Sequence, residues 1–306
     1  MTFTGEKEYS CCIMEGKRVK LNSTAVGTCY ILVTAFCFAL MSLLVRLAGD
    51  LPAIQKAFFR NVIAAIIAVP MLFRSEEKFR IHPGCLPDLF FRALLGTVGV
   101  VSNFWAVDHI GIADANVLNR LAPFFAVVMS AFLLKEKPGK VDILCVIAAF
   151  CGAVFLVRPG AGLIRLPALV GVLGGLCAGT ASTFVRRLGQ RGERGSMIVA
   201  FFSCFSCLIS LPFLLFDFHP MTGRQWLLLL SAGAAGGVGQ LCLTRAYRAA
   251  PAREISIFDY TQALHGAWLG AVFLGEIPGR SSIIGYCIII GAAVFRYFYN
   301  RRLHHP

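Results

Sequence analysis

Two apolar stretches of this chain, 113–134 and 254–274, carry polar side chains at the spacing of one helical face, and such side chains could recognise a small charged molecule. Residues three and four apart are neighbours on a helix, so each stretch presents a polar stripe. A charge in apolar surroundings is costly unless it is paired or hydrated, which makes these residues functional candidates. The stripes contain Asn116, Asn119 and Arg120 in the first stretch and Asp259, Gln262 and His265 in the second.

The charges in this set favour a ligand with a carboxylate or a phosphate. Two arginines within apolar stretches, Arg60 and Arg120, outnumber the single aspartate, Asp259, and that aspartate could face an ammonium group. We therefore expect an amino acid or a related organic anion or zwitterion, with an amine or cationic drug facing Asp259 as the alternative. Three residues on neighbouring stretches complete the candidate binding set: Asn103, Trp105 and Gln240.

Structural roles are open for several of these residues. Arg120 and Asp259 could neutralise each other without touching a ligand. Arg60 could brace its own helix, and Asn119 and Gln262 could be hydrogen-bond partners between helices. The whole set is nevertheless more polar than packing alone requires.

The chain contains ten apolar stretches of membrane-spanning length. Hydrophobic residues make up 57% of the 306 residues, charged residues make up 15%, and the mean hydropathy is +0.72. A soluble domain has about 25% charged residues, and a spanning helix needs about 20 apolar residues. The sequence therefore predicts an all-α integral membrane protein with spans at 24–45, 56–73, 88–107, 113–134, 141–158, 167–186, 196–216, 225–247, 254–274 and 282–299.

The chain is an internal repeat, because residues 96–155 align with residues 236–295 without a gap. Each copy holds five spans, and since five is odd, the second copy enters the membrane from the opposite side. Two inverted five-helix repeats are typical of secondary transporters, whose halves move around a central site. Equivalent positions in this register include Gly96 and Gly236, Asn116 and Ser256, Asn119 and Asp259, and Arg120 and Tyr260.

The net charge of +13 indicates the orientation of the spans. Most lysines and arginines fall at the chain ends and in alternate loops, and positive charge stays cytoplasmic during insertion. This count places Arg92 in the second loop and Lys56 on the outer side. We expect a multi-pass protein of the cell (plasma or inner) membrane with both termini in the cytoplasm. The predicted divisions are a tail (1–23), the first repeat (24–158), the second repeat (167–299) and a second tail (300–306).

Other functional classes have weaker support. Asp108, His109 and Asp114 are the one group that could form a hydrolytic or metal site, and two carboxylates with one imidazole are a weak metal signal. No phosphate-binding glycine loop and no repeated channel filter are visible in the sequence. We therefore expect no enzymatic activity, no cofactor, no metal and no nucleic-acid partner. The expected partners are a small-molecule solute and the lipid bilayer, for a monomer or a homodimer.

Several motifs recur at equivalent places in the two halves. The fourth span contains Asn119-Arg120-Leu121-Ala122-Pro123 and ends at Leu134-Lys135-Glu136, and the ninth ends at Leu274-Gly275-Glu276 before Pro278. Together with Arg60 in the second span, this pattern resembles the drug/metabolite transporter superfamily, EamA type, over residues 24–299. The resemblance implies ten helices in two repeats and the transport of a solute that it does not identify.

Glycines and one proline indicate where helices approach closely or bend. Gly171, Gly175 and Gly179 form a small-residue ladder on the sixth span, for which helix packing is the expected role. Pro123 lacks an N–H and its ring clashes with the preceding turn, so it should kink the fourth span. Glu276 is expected to be a structural turn residue.

The source of energy is open at the level of sequence. Without a nucleotide site, transport must use an ion gradient or solute exchange. Asp259 and His265 are the residues best placed to carry a coupling proton, because histidine titrates near neutral pH. Facilitated exchange without a proton is an equal alternative.

Overall fold

The computed structural model describes residues 23–74, 79–135, 139–157, 166–249, 256–276 and 279–304. Every regular element within these ranges is helical. The helices are α1 (Ser23–Leu47), α2 (Ala53–Phe73), α3 (Leu86–Ile110), α4 (Ile112–Asn119), α5 (Ala122–Leu133), α6 (Lys140–Val157), α7 (Leu166–Gln190), α8 (Gly195–Phe216), α9 (Gly223–Ala249), α10 (Thr261–Leu274) and α11 (Arg280–His304), with a 3₁₀ turn (Ser256–Tyr260) before α10.

The prediction of membrane-spanning helices is confirmed. Eight segments of the described residues are long and apolar enough to cross a bilayer, and one of them, Ile112–Leu133, comprises α4 and α5 together. The other two predicted spans are also helical: α6 has 18 residues, and α10 has 14 residues after the 3₁₀ turn. Large apolar side chains such as Phe132 and Phe216 face outward, 75% and 92% exposed, as expected of a protein surrounded by lipid. Residues 158 and 254–255 of the predicted spans lie outside the described ranges.

The helices pack in pairs that follow a twofold relation between the repeats. α3 packs along α7 and α1 packs along α9, which is the same contact with the two repeats exchanged. α2 packs on α8 and α6 packs on α11, so each of these pairs joins a helix to its own repeat equivalent. The most extensive helix contacts therefore run between the halves, and the predicted fold of two inverted five-helix repeats is confirmed.

The fourth and ninth spans both depart from regular α-helix at positions that correspond in the two repeats, and we call each departure an interruption. α4 ends at Asn119, shortly before α5 begins, and the 3₁₀ turn gives way to α10 after Tyr260. Pro123 explains the first interruption, because it has no N–H to donate to the carbonyl of Asn119 four residues earlier. The second repeat has Ala263 at the equivalent position, so its interruption needs no proline.

The glycine ladder of α7 holds the interrupted fourth span. A Cβ on Gly171 would lie 2.9 Å from Leu118 Cδ1, and a Cβ on Gly175 would lie 2.7 Å from the Leu118 carbonyl oxygen. A Cβ on Gly179 would lie 2.8 Å from Phe125 Cβ. Helices in lipid associate through such close contact, so the packing role predicted for these glycines is confirmed.

Candidate functional site

Arg120 lies at the centre of the polar contacts between the two halves. It directly follows α4, so its side chain leaves the backbone at the interruption of the fourth span. Its Nη1 donates a hydrogen bond to Asp259 Oδ2 in the 3₁₀ turn, and its Nη2 donates to Gln262 Oε1 in α10. The side chains of Arg120 and Asp259 are only 9% and 15% exposed. A shielded ion pair therefore joins the two interrupted spans.

Hydrogen bonds extend from this ion pair to α1. Gln262 Nε2 donates to Asn116 Oδ1 at 3.3 Å, and Ser42 Oγ donates to the same oxygen at 3.2 Å. Gly266 leaves room for Asn116, because a Cβ on Gly266 would lie 2.5 Å from Asn116 Nδ2. We name these connected side chains the Arg120 network: Ser42, Asn116, Arg120, Asp259 and Gln262.

Three polar atoms of the Arg120 network have no hydrogen-bond partner within the described part of the chain. They are the donors Arg120 Nε and Asn116 Nδ2 and the acceptor Asp259 Oδ1. Buried polar atoms are normally hydrogen-bonded, so these three are available to a bound molecule. The two donors suit an anionic group, and the carboxylate oxygen suits a cationic one.

Three further residues of the predicted set lie on helices that surround the network. Asn119 is half-buried at the end of α4, beside α7. Asn103 is buried on α3, and its Oδ1 has no hydrogen-bond partner in the described residues. Gln240 is half-buried on α9. Among the described residues, neither Asn103 nor Asn119 makes a side-chain hydrogen bond to a member of the network.

Trp105 and His265 make ring contacts away from the ion pair. Trp105 stacks on the exposed His109, with 4.0 Å between ring centroids, which places it toward one end of α3. The ring of His265 meets Phe36 of α1 edge to face at 5.6 Å, and its Nδ1 lacks a hydrogen-bond partner in the described ranges. His265 therefore faces α1, on the same helix as Gln262.

Arg60 belongs to a second polar region, between α2, α8 and α9. It is 4% exposed, and its Nη1 donates to Asn61 Oδ1 at 2.8 Å. Asn61 Nδ2 in turn donates to Ser206 Oγ of α8 at 2.6 Å. The guanidinium carbon of Arg60 lies 5.7 Å from the ring centroid of Phe202. No carboxylate among the described residues forms an ion pair with Arg60.

Arg92 lies in the same region, and its assignment to a cytoplasmic loop was wrong. It is 8% exposed on α3, and its guanidinium carbon lies 4.0 Å from the Phe202 ring centroid. The signal was present in the sequence, since Arg92 falls within the predicted third span, 88–107. A desolvated cation–π contact is worth about 2 kcal/mol, whereas an arginine at the membrane centre costs about 2.5–3.5 kcal/mol. Phe202 alone therefore does not offset two buried guanidinium groups.

Charged contacts that were not predicted from the sequence connect the helices at one end of the bundle. Lys56, near the start of α2, is fully buried, and its Nζ lies 2.6 Å from Asp108 Oδ2. Arg46 donates to the backbone carbonyl of Asp108 and, at 3.3 Å, to Glu276 Oε1. Glu276 Oε2 also accepts the N–H of Ile112 at the start of α4, at 3.0 Å. The structural role predicted for Glu276 is therefore confirmed.

The three residues that suggested a hydrolytic or metal site have different partners. Asp114 accepts hydrogen bonds from Tyr286 Oη at 2.6 Å and Ser282 Oγ at 3.2 Å, while Asp108 binds Lys56 and His109 stacks on Trp105. Across the described residues, no group of three or more His, Cys, Asp or Glu side chains could hold a metal ion. The geometry gives no support to a hydrolytic centre at this loop.

Several proteins with similar sequences are named as transporters. The model of the EamA-like transporter family matches residues 25–158 and again residues 165–298. The pseudopaline exporter CntI of Pseudomonas aeruginosa is 31% identical over 271 residues, covering 88% of this chain and 94% of the relative. The riboflavin transporter of Vibrio cholerae is 24% identical, covering 88% and 92%. Human solute carrier family 35 member G1 is also 24% identical, covering 95% of this chain and 86% of the relative.

A solved crystal structure shares the fold. It superposes with a TM-score of 0.63 at 18% sequence identity and covers 91% of this chain and 98% of its own. The family model matches both repeats, and its two matches together span most of the chain. The chain therefore belongs to the EamA-like transporter family of the drug/metabolite transporter superfamily, whose members move small-molecule solutes across a membrane.

Proposed function

We propose that this protein is a secondary transporter that moves a small polar metabolite, an amino acid or a related organic anion or zwitterion, by alternating access. The observation that carries the proposal is the shielded ion pair between Arg120 and Asp259, which joins the two interrupted spans. The names of the relatives give two different solutes, pseudopaline and riboflavin, so they do not identify the solute of this chain.

A zwitterion can replace this ion pair without leaving a buried charge alone. Its carboxylate would bind Arg120, whose Nε has no partner, and its ammonium group would bind Asp259, whose Oδ1 has none in the described residues. Removing one partner of a buried ion pair costs about 3–5 kcal/mol, because the other charge is left uncompensated. A purely cationic solute facing Asp259, the alternative class, would leave Arg120 in that state.

The position of the ion pair also supports alternating access. In inverted-repeat transporters, interrupted helices place backbone groups at mid-depth, and the two halves move around a site on the axis between them. Here Arg120 follows α4 in the first repeat, and Asp259 precedes α10 in the second. A solute that takes over both charges releases the direct bond between the repeats and bridges them itself, so movement of the halves depends on the solute.

Uptake into proteoliposomes tests the proposal. A panel of amino acids and organic acids is first screened by thermal shift on the purified protein, because a bound ligand stabilises it by mass action. The ligand with the largest shift is then used in labelled form. We expect saturable, exchangeable uptake that falls at least about tenfold in Asp259→Asn and in Arg120→Gln, since each loses a charge-assisted hydrogen bond.

The matched control is Arg224→Gln, which removes an exposed arginine at the start of α9 and should leave uptake unchanged. Uptake by Asp259→Asn at the wild-type rate would contradict the assignment of the ion pair as the solute site. Conversion of the solute to a product would indicate an enzyme instead.

We propose a proton gradient or solute exchange as the energy source, with Asp259 and His265 as the candidate proton carriers. Asp259 comes three residues before Gln262, and His265 comes three residues after it. Asp259 Oδ1 and His265 Nδ1 have no hydrogen-bond partner among the described residues. Flux is compared with and without an imposed pH gradient. If wild-type flux ignores the gradient, exchange is the mechanism. If Asp259→Asn responds like the wild type, Asp259 carries no proton.

We propose the cell membrane as the location, with both termini on the cytoplasmic side, from the distribution of lysine and arginine along the sequence. A reporter that is active only in the cytoplasm, fused after Pro306, should be active. Activity confined to a reporter that works only outside the cell would reverse the orientation of all ten spans.

A further inference from the structure

We propose that Arg60 and Arg92 form a second binding site, which takes an oxyanion: a carboxylate or a phosphate group. The site lies between α2, α3 and α8, shares no residue with the Arg120 network, and does not require that network to bind a solute.

Both guanidinium groups lie against one aromatic ring. The guanidinium carbons of Arg92 and Arg60 are 4.0 Å and 5.7 Å from the ring centroid of Phe202 on α8. Arg60 and Arg92 each lie in the first half of their helices, α2 and α3, and these consecutive spans cross the membrane in opposite directions. The two long side chains therefore start on either side of mid-depth and converge at Phe202.

Each repeat provides a glycine where one of the arginines lies. A Cβ on Gly96 would be 2.7 Å from Arg92 Nη1 and 2.9 Å from Phe202 Cε2, closer than real Cβ atoms approach other heavy atoms. A Cβ on Gly236 would be 3.2 Å from Arg60 Nε. Gly96 and Gly236 are equivalent in the two repeats, so both copies of the unit leave space for a guanidinium group at the same place.

The two positive charges have no counter-charge in the described part of the chain. Neither arginine forms an ion pair there, and Arg60 Nε, Arg92 Nε and Arg92 Nη1 have no hydrogen-bond partner. Both residues are more than nine-tenths buried, at 4% and 8% exposure. The face of Phe202 offsets only part of the cost of two neighbouring buried cations, so an anion placed between them would stabilise the protein.

Hydroxyl groups on α8 suit the oxygens of such an anion. Ser203, which directly follows Phe202, and Ser206 are fully buried. Ser206 is connected to Arg60 through Asn61, and the hydroxyl of Ser203 has no partner among the described residues. Guanidinium forks and hydroxyl donors together match the several acceptor oxygens of a carboxylate or a phosphate.

The oxyanion has two potential sources, which thermal-shift titration of the purified full-length protein distinguishes. Inorganic phosphate, titrated against sodium chloride at equal ionic strength, probes a separate anion. L-glutamate compared with L-glutamine, which has the same length and lacks the second carboxylate, probes an acidic group on the solute itself. A saturable shift with phosphate, or a tighter response to glutamate than to glutamine, is the expected result.

Two kinds of variant assign that response to this site. Arg92→Gln and Arg60→Gln remove one charge and should weaken the response at least about tenfold, because each loses charge-assisted hydrogen bonds. Gly96→Ala keeps both charges and displaces the guanidinium of Arg92, so it should weaken the response while preserving the charge of the protein. Arg224→Gln, at an exposed position, is the matched control and should respond like the wild type.

The phosphate response should persist in Arg120→Gln, because that residue belongs to the other centre and inorganic phosphate does not require it. Persistence there, together with loss in Arg92→Gln, supports the oxyanion site even if the Arg120 network proves not to bind solute. The proposal is overturned if neither phosphate nor the second carboxylate of glutamate produces a saturable shift. It is equally overturned if the response is unchanged in Arg92→Gln and in Gly96→Ala.

Discussion

The two buried polar centres of this protein differ in how their charges are compensated. In the Arg120 network, the guanidinium group binds Asp259 and Gln262, and further hydrogen bonds reach α1. In the second centre, Arg60 and Arg92 share the face of Phe202, and no described carboxylate pairs with either. The charges of the first centre thus cancel without a ligand, whereas the second centre has an excess of positive charge. The same residue type therefore has opposite consequences for stability in the two places.

The largest difference in stability between variants of the two centres should appear when one charge is removed from each centre. Asp259→Asn leaves Arg120 buried without a counter-charge, and we expect a loss of about 3 kcal/mol of stability. Arg92→Gln removes an uncompensated buried cation, and we expect the stability to be unchanged or higher. The midpoint of thermal unfolding in detergent measures both. The double variant Arg120→Gln with Asp259→Asn should recover most of the loss, and a double variant as unstable as Asp259→Asn would contradict the pairing.

An intermediate effect is expected when the Arg120 network is disturbed without changing its charge. In Gly266→Ala the new Cβ would meet Asn116 Nδ2 at 2.5 Å, so the amide that accepts hydrogen bonds from Gln262 and Ser42 must move. We expect a loss of about 1–2 kcal/mol, the cost of leaving buried polar groups unsatisfied, and slower transport. Gly291→Ala is the control, because a Cβ there meets nothing within 4 Å. Equal behaviour of the two variants would show that the position of Asn116 is unimportant.

The smallest effect should come from an ion pair at the rim of the bundle. Arg46 and Glu276 are 34% and 26% exposed, so their attraction is screened and worth about 0–1 kcal/mol. Glu276→Gln keeps an oxygen for the N–H of Ile112 and should change the unfolding midpoint little. Glu276→Ala also loses that bond to the start of α4 and should cost about 1 kcal/mol more. If Glu276→Gln lost more stability than Asp259→Asn, burial would not be what determines how much each ion pair contributes to stability.

The contact between the two polar stripes was predictable because of the inverted repeat. Equivalent positions of the fourth and ninth spans lie on either side of the same axis. Asp259 is the equivalent of Asn119, and Arg120 is the next residue after Asn119, so Arg120 and Asp259 come close together. Pro123 likewise predicts the first interruption from backbone chemistry alone. The interruption before α10 has no proline and was not predicted, because it is visible only in the folded chain.

The second centre was not predicted from the sequence, for a physical reason. Arg92 lies close to the start of α3, and a long arginine side chain near a helix end can reach water as easily as the interior. Lys56 likewise lies near the start of α2, and its burial against Asp108 was not predicted. Composition and span length do not show whether such a side chain extends toward water or into the protein interior.

The sequence by itself determined the apolar spans, the inverted repeat and the family, because hydrophobicity, span length and the repeat are properties of the linear order of residues. Only the tertiary structure decided which buried charges have partners: Arg120 meets Asp259, whereas Arg60 and Arg92 meet Phe202. Pairing depends on the rotation of each helix about its own axis and on the space left by glycines of neighbouring helices, such as Gly96 and Gly266. Those quantities are fixed by the packing of one half against the other.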